Sequence, residues 1–134
     1  MINCAGVMYF TLMKNCNLTE WAQTINVNCL GVTNGFAACL PHFLERGEGH
    51  IVNISSDASK RVFPSLAVYC ASKTFVDVLS EGTRRELVGT GVKITCVQPG
   101  DVKGTELIMK NSDGEAAEKM GVEIGKPVGE GFTR

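Results

Sequence analysis

The sequence predicts an α/β fold built on a parallel sheet, and three observations carry that reading. Short β-prone runs alternate with longer stretches whose apolar residues recur every three or four positions. Each of those runs ends in a loop rich in Ser, Gly or Pro. Crossover helices between short β-branched strands are how βαβ units build a parallel sheet.

Residues 1–6 read as the end of a strand running into a loop marked by Gly6. Asn17 followed by Glu20 has capping-box-like spacing, the Asn accepting from first-turn amides and the Glu reaching back. Trp21, Ile25, Cys29, Val32, Phe36, Leu40 and Phe43 then form an apolar helix stripe. Pro41, Gly47 and Gly49 mark its stop. His50 to Ile54 is a β-prone run ending in Ser55-Ser56, and residues 57–64 read as a polar loop in which Asp57, Lys60 and Arg61 are solvated.

A second helix is predicted over about residues 69–87, with Phe75, Val76, Leu79 and Leu87 available to its buried side. Gly89-Thr90-Gly91 stops it. Residues 92–97 form the next strand, closed by Pro99-Gly100 because proline cannot continue a central ladder. Beyond Thr105 the periodicity fades. Residues 106–120 are expected to form at most a short mobile helix, and residues 121–134 a tail.

The composition narrows the function classes. The 134 residues, 44% hydrophobic and 20% charged, suit one domain with a real core. With 13 Lys+Arg against 14 Asp+Glu, net charge is -1, and nothing electrostatic points to nucleic acid or an anionic membrane. Six cysteines invite a disulfide reading, but Cys29, Cys39 and Cys96 sit in apolar helix or strand patterns, where cysteine behaves as a small hydrophobe. A reducing, cytoplasmic setting is expected. No CxxC pair occurs, and neither His42 nor His50 has a partner at ligand spacing, so no metal site is expected. No signal peptide or membrane-spanning run is visible.

The chemistry-bearing pair is Tyr69 and Lys73, four apart and so on one helix face, about 6 Å apart along the axis. A free tyrosine, with a pKa near 10, is a poor base at neutral pH. A neighbouring ammonium favours the phenolate and makes proton transfer by Tyr69 sensible. Ser56, at the end of the preceding strand, is placed to hydrogen-bond the same substrate oxygen. Taken alone, Ser56 reads as a strand-end hydroxyl capping the next turn, and Asn28 as a polar residue in helix packing.

The string as a whole says more. Residues 51–56, Tyr69-Cys70-Ala71-Ser72-Lys73 and Gln98-Pro99-Gly100, with thirteen positions from Ser56 to Tyr69, resemble the short-chain dehydrogenase/reductase family in its classical form. Asn28-Cys29-Leu30-Gly31 matches that family's helix motif, and Asn3-Cys4-Ala5-Gly6 resembles its Asn-Asn-Ala-Gly turn. The resemblance extends to about Leu107. It implies a single NAD(P)-binding domain over residues 1–134, a partial Rossmann-like three-layer sandwich with residues 106–134 as substrate-region remnant and tail.

The resemblance also implies roles. Tyr69 would give a proton to a carbonyl oxygen or take one from an alcohol. Lys73 would depress the pKa of Tyr69 and hold the nicotinamide ribose hydroxyls. Ser56 would polarise the substrate oxygen, and Asn28 would help retain a water in a proton relay. Asn3, Ala5 and Gly6 would shape the adenosine-side wall and tie neighbouring strands, while Pro99, Gly100, Val102 and Thr105 would border the nicotinamide. The implied activity is hydride transfer between NAD(P)(H), tilted toward NADP, and a small or medium carbonyl or alcohol. The implied assembly is a homo-oligomer through two long helices, about residues 18–45 and 69–87.

Three departures temper this. Cys4 stands where the turn has its second Asn, and a thiol cannot reproduce paired amide bonds. Gly104 stands where the family has the carboxamide-holding Thr, with Thr105 one later. The family's first strands and its Gly-rich diphosphate loop, whose amides cradle phosphates at a helix N-terminus, do not precede Asn3. The strand ending at Asn3 is therefore expected to be an open apolar edge, and this polypeptide to bind cofactor poorly. The alternative reading is a non-catalytic fragment or pseudoenzyme acting through subunit pairing.

Overall fold

Three parallel strands form the sheet in the order β1 (Ile2–Asn3), β2 (Gly49–Ile54) and β3 (Val92–Val97). The computed structural model describes residues 1–127. Asn3 lies opposite Asn53, and Asn53 opposite Cys96, so these three share one row across the sheet. One helical rod links β1 to β2. It comprises α1 (Leu18–Ile25), a π turn (Asn26–Leu30) and α2 (Gly31–Arg46). Helix α3 (Ala67–Glu86) links β2 to β3, and α4 (Gly114–Met120) follows.

Both crossovers lie on the same face of the sheet. Val32 and Phe36 of α2 and Val76 of α3 join Ile51, Val92 and Ile94 in one apolar cluster. The side chains alternating with these, His50, Lys93 and Thr95, are exposed on the other face. Of the three layers expected, the described residues build two. The reason is handedness: successive right-handed crossovers that step the same way along a sheet put their helices on one side. Ile51, with no exposed surface, marks the centre of this layer, and its burial is worth roughly 1.5–3 kcal/mol.

A polar row runs through the same interface. Asn3 Nδ2 donates to Asn53 Oδ1 at 2.8 Å, Asn53 Nδ2 to Ser80 Oγ at 2.9 Å, and Ser80 Oγ to Val76 O at 2.7 Å. It ties β1, β2 and α3 together through direct hydrogen bonds. Gly35 of α2 admits it, since a Cβ there would lie 2.1 Å from Asn3 Oδ1.

The rod starts differently from expectation and stops at the expected Gly47. Asn17 and Glu20 form no capping box. Asn17 Nδ2 instead donates to Asp113 Oδ2 at 3.2 Å, and Glu20 Oε1 accepts from Ser112 N and Oγ at 3.1 and 2.6 Å. Tertiary partners outcompete the local cap. Pro41 does not stop α2, which runs on to Arg46 and ends where Gly47 turns left-handed at φ 69.

Residues 106–120 are a docked segment in which a short helix, α4, forms. Phe10 N–H donates to Asn111 Oδ1 at 2.6 Å and Leu12 N–H to Asp113 Oδ2 at 3.0 Å. Asp113 also caps α4 by accepting from Ala116 N at 3.0 Å. Ile108 and Ala116 join Phe10, Leu66, Tyr69 and Cys70 in a second buried cluster, against which Val122 still packs. The rest of the expected tail, residues 128–134, lies outside the described residues. All six cysteines are free thiols, Cys29 and Cys70 buried.

Candidate active site

The carboxyl ends of β2 and β3 open into a cleft of about 540 Å³. Ser56, Tyr69 and Lys73 line it together with Gly6, Pro99, Gly100, Val102 and Thr105. Asn3, Ala5 and Asn28 do not line it. Asn3 faces the sheet interior, in the polar row, and so acts as a strand tie with no surface toward the cleft.

Ser56 sits where β2 gives way to a 3-10 turn, Asp57–Ser59, and serves as its cap. Its Oγ accepts from Ala58 N at 3.1 Å and donates to Asp57 Oδ1 at 3.3 Å. The bland reading of a capping hydroxyl is therefore correct, and it coexists with a place on the cleft wall. Tyr69 and Lys73 lie on the buried face of α3, only 5% and 6% exposed.

Lys73 Nζ donates to Ile54 O at 2.9 Å and lies 5.7 Å from the Tyr69 ring centroid. Burial lowers its pKa, opposed by the nearby Cys4, Cys96, Cys29 and Asp77. Burial likewise raises the pKa of Tyr69, opposed by a hydrogen bond with Ser56 and reinforced by Asp57. The expected depression of the Tyr69 phenol by Lys73 is not what these contacts produce. Desolvation dominates, and the ammonium is turned to the Ile54 carbonyl.

Asn28 stands one layer behind. The π turn places it, 1% exposed, against the loop after β1. Its Oδ1 accepts from Val7 N and its Nδ2 donates to Val7 O, both at 2.9 Å, and Nδ2 also donates to Ser72 Oγ at 3.0 Å. Such a π bulge commonly marks a functional position. Here it lets one amide grip both backbone groups of Val7. A Cβ on Gly6 would lie 3.5 Å from Asn28 Oδ1 and 3.6 Å from Lys73 Nζ, so the bare glycine keeps that approach open.

The far wall comes from parts the sequence reading treated as loop or tail. Phe10, Phe63, Leu66 and Ile108 make it apolar, and Arg61 and Asp101 add charge to the lining. Gly104, at φ 73, turns the chain so that Thr105 reaches the lining despite the one-residue offset. Lys60 is not simply solvated, for its Nζ pairs with Asp77 at 2.9 Å. Asp77 itself went unread. The signal was there, an acid four residues after Lys73 and next to the core residue Val76. Ile108 left a fainter one, the apolar pair Leu107-Ile108 within a polar stretch.

Among the described residues no helix is long and apolar enough to cross a membrane.

Known proteins share this arrangement. The chain matches the short chain dehydrogenase family over residues 1–116. It is 46% identical over 128 residues to a glycine betaine reductase of Emericella nidulans, covering 96% of this chain and 10% of that protein. It is 41% identical over 115 residues to an uncharacterised oxidoreductase of Staphylococcus saprophyticus, covering 84% of this chain and 46% of that one. A serine dehydrogenase complexed with NADP+ superposes with a TM-score of 0.79 at 33% identity, over 92% of this chain and 51% of that one. A gluconate 5-dehydrogenase from Burkholderia cenocepacia, in complex with NADP and tartrate, gives 0.75 at 31% identity, over 79% and 41%. The chain thus spans about half, or less, of the proteins it matches. With the motifs, the parallel sheet and the placement of Ser56, Tyr69 and Lys73 in agreement, the chain belongs to the short-chain dehydrogenase/reductase family.

Proposed function

We propose that this chain is the catalytic half of an NAD(P)-dependent oxidoreductase acting on a small or medium carbonyl or alcohol. The observation that carries the reading is the convergence of Ser56, Tyr69 and Lys73 on one cleft wall. The names of its relatives, a serine dehydrogenase, a gluconate 5-dehydrogenase and a glycine betaine reductase, favour small polar substrates. NADP is favoured over NAD, because NADP accompanies several of the similar structures.

The residues present suit the nicotinamide half of such a cofactor. Lys73 offers a buried ammonium with three donors, of which Ile54 O takes one. The bare Gly6 leaves an approach beside it, and Pro99, Gly100, Val102 and Thr105 make the adjoining wall. When bound, the nicotinamide accepts or supplies the hydride.

The protein's own part is proton transfer and orientation. Tyr69 supplies the phenol that donates to a carbonyl oxygen as negative charge develops there, and burial, which pushes its pKa up, works against that transfer. Ser56 Oγ orients that oxygen by a second hydrogen bond. Lys73 stands beside the ring and replenishes the proton through a water held near the π turn of Asn28. Asn28 also fixes the loop at Gly6-Val7. Phe10, Phe63 and Ile108 exclude bulk water.

Tyr69→Phe in the protein as its gene encodes it tests this reading. NADPH-dependent carbonyl reduction should fall by on the order of 10²-fold or more, with the fold intact by circular dichroism. Unchanged turnover would refute the assignment. The alternative is subunit pairing. The exposed Phe75 and Val78 of α3 and Leu30 of the rod support assembly through the long helices. Sedimentation velocity separates a monomer from such an assembly.

A further inference from the structure

Asp77 has no part in the chemistry described above, yet its surroundings are the most heavily wired on α3. It follows Lys73 by one helical turn, and its carboxylate is only 9% exposed. Its Oδ2 accepts from Gln98 Nε2 at 2.5 Å and pairs with Lys60 Nζ at 2.9 Å, and its Oδ1 accepts from Cys96 Sγ at 3.3 Å. The Ser55 and Ser59 hydroxyls lie beside it and favour its charged form, while their protons go to Lys73 O at 3.1 Å and Ser56 O at 2.7 Å.

These groups come from three pieces of backbone: the end of β2, the turn after it, and the end of β3. Each piece borders the cleft directly. Ser55 precedes Ser56, and Gln98 precedes Pro99. Two backbone bonds stitch the pieces together, Ser55 N–H to Val97 O at 2.8 Å and Asp57 N–H to Pro99 O at 2.9 Å. Ser55 Oγ adds a tie to Lys73 O at 3.1 Å, and Thr74 Oγ1 one to Ser59 O at 3.2 Å. Burying a carboxylate is costly unless every oxygen is satisfied. An apolar residue beside Val76 would avoid that cost but could not hold the donors Lys60, Cys96 and Gln98, which come from the turn after β2 and the end of β3.

We infer that Asp77 is a positioning residue that fixes the Ser56 turn and the Pro99-Gly100 loop in one register against α3. It thereby sets the distance of the Ser56 hydroxyl from Tyr69. The inference rests on the reading of Ser56, Tyr69 and Lys73 as carbonyl chemistry. Lys60, 63% exposed at the outer end of the network, is the member whose loss perturbs the core least.

Asp77→Asn and Lys60→Met in the protein as its gene encodes it provide the test. Asp77→Asn keeps the shape and removes the charge, while Lys60→Met removes one donor only. Well below each variant's melting temperature, kcat for carbonyl reduction should fall on the order of 10²-fold in Asp77→Asn, and less in Lys60→Met. KM and NADPH affinity should change less than about threefold, because an oriented group contributes mainly in the transition state. Amide exchange should accelerate at residues 55–61 and not across the centre of β2 and β3.

Unchanged kcat in both variants overturns the inference, as does a fall matched by faster exchange throughout the sheet. If Asp77→Asn does not fold, Lys60→Met decides by the same readouts. If the unaltered protein reduces no carbonyl, the functional reading fails on its own. Exchange at residues 55–61 then decides, faster in Asp77→Asn in support, unchanged against.

Discussion

Titrating Asp77 makes the network measurable without substrate. Burial pushes its carboxyl upward, but the polar neighbours Ser55, Ser59, Lys60 and Cys96 outweigh it and bring the pKa from 3.8 to about 2. The folded value lies below the unfolded one, so the charged form stabilises the fold. That contribution is complete above pH 3.8 and is lost as pH falls through about 2. Close to two units at ~1.4 kcal/mol each give a little over 2 kcal/mol, and screening at the exposed Lys60 end trims this to about 2 kcal/mol. Urea unfolding between pH 5 and 2, on the protein and on Asp77→Asn, isolates the term from the other carboxylates. The stability difference between the two should shrink by about 2 kcal/mol across that window. Parallel curves would mean that Asp77 is held no better folded than unfolded, and the reasoning would fail.

The interior row and the docked segment give further tests. Gly35→Ala should destabilise the fold by roughly 1–3 kcal/mol in urea titration, because the new Cβ displaces Asn3 from Asn53. The helix-propensity gain of ~1 kcal/mol would otherwise make the substitution stabilising, so an increase in stability would refute the clash. Asp113→Ala removes the α4 cap and the acceptor for Leu12 N–H and Asn15. Limited proteolysis should then cut within residues 106–120, and stability should drop by about 2 kcal/mol. Resistance equal to that of the unaltered protein would count against docking by Asp113.

The signals legible in advance were the local ones. Alternating β-prone runs and helix stripes gave the order of β1 to β3 and the two helical crossovers between them, because burial on one face imposes a period on the residues themselves. The π turn that divides the first crossover left no such period. The stretch from Tyr69 to Lys73 placed two groups on one helix face for the same reason. Where the reading failed, a long-range partner had taken over. Glu20 and Asn17 were spaced to cap a helix, but Ser112 and Asp113, some ninety residues on, claimed them. Residues 106–120 looked loose because their order comes from Phe10, Leu12 and Glu20, and their own pattern is weak.

The sequence by itself determined the family and the candidate set Ser56, Tyr69 and Lys73, since their types and spacing are properties of the chain as written. Tertiary structure alone decided how those groups are tuned and held. Burial raised the Tyr69 pKa where the neighbouring Lys73 suggested it would fall. The π turn aimed Asn28 at Val7, and Asp77 gathered two strand ends around one carboxylate. Desolvation and hydrogen-bond partnership depend on which distant residues arrive beside a group. That is a property of the packed chain and of no segment within it.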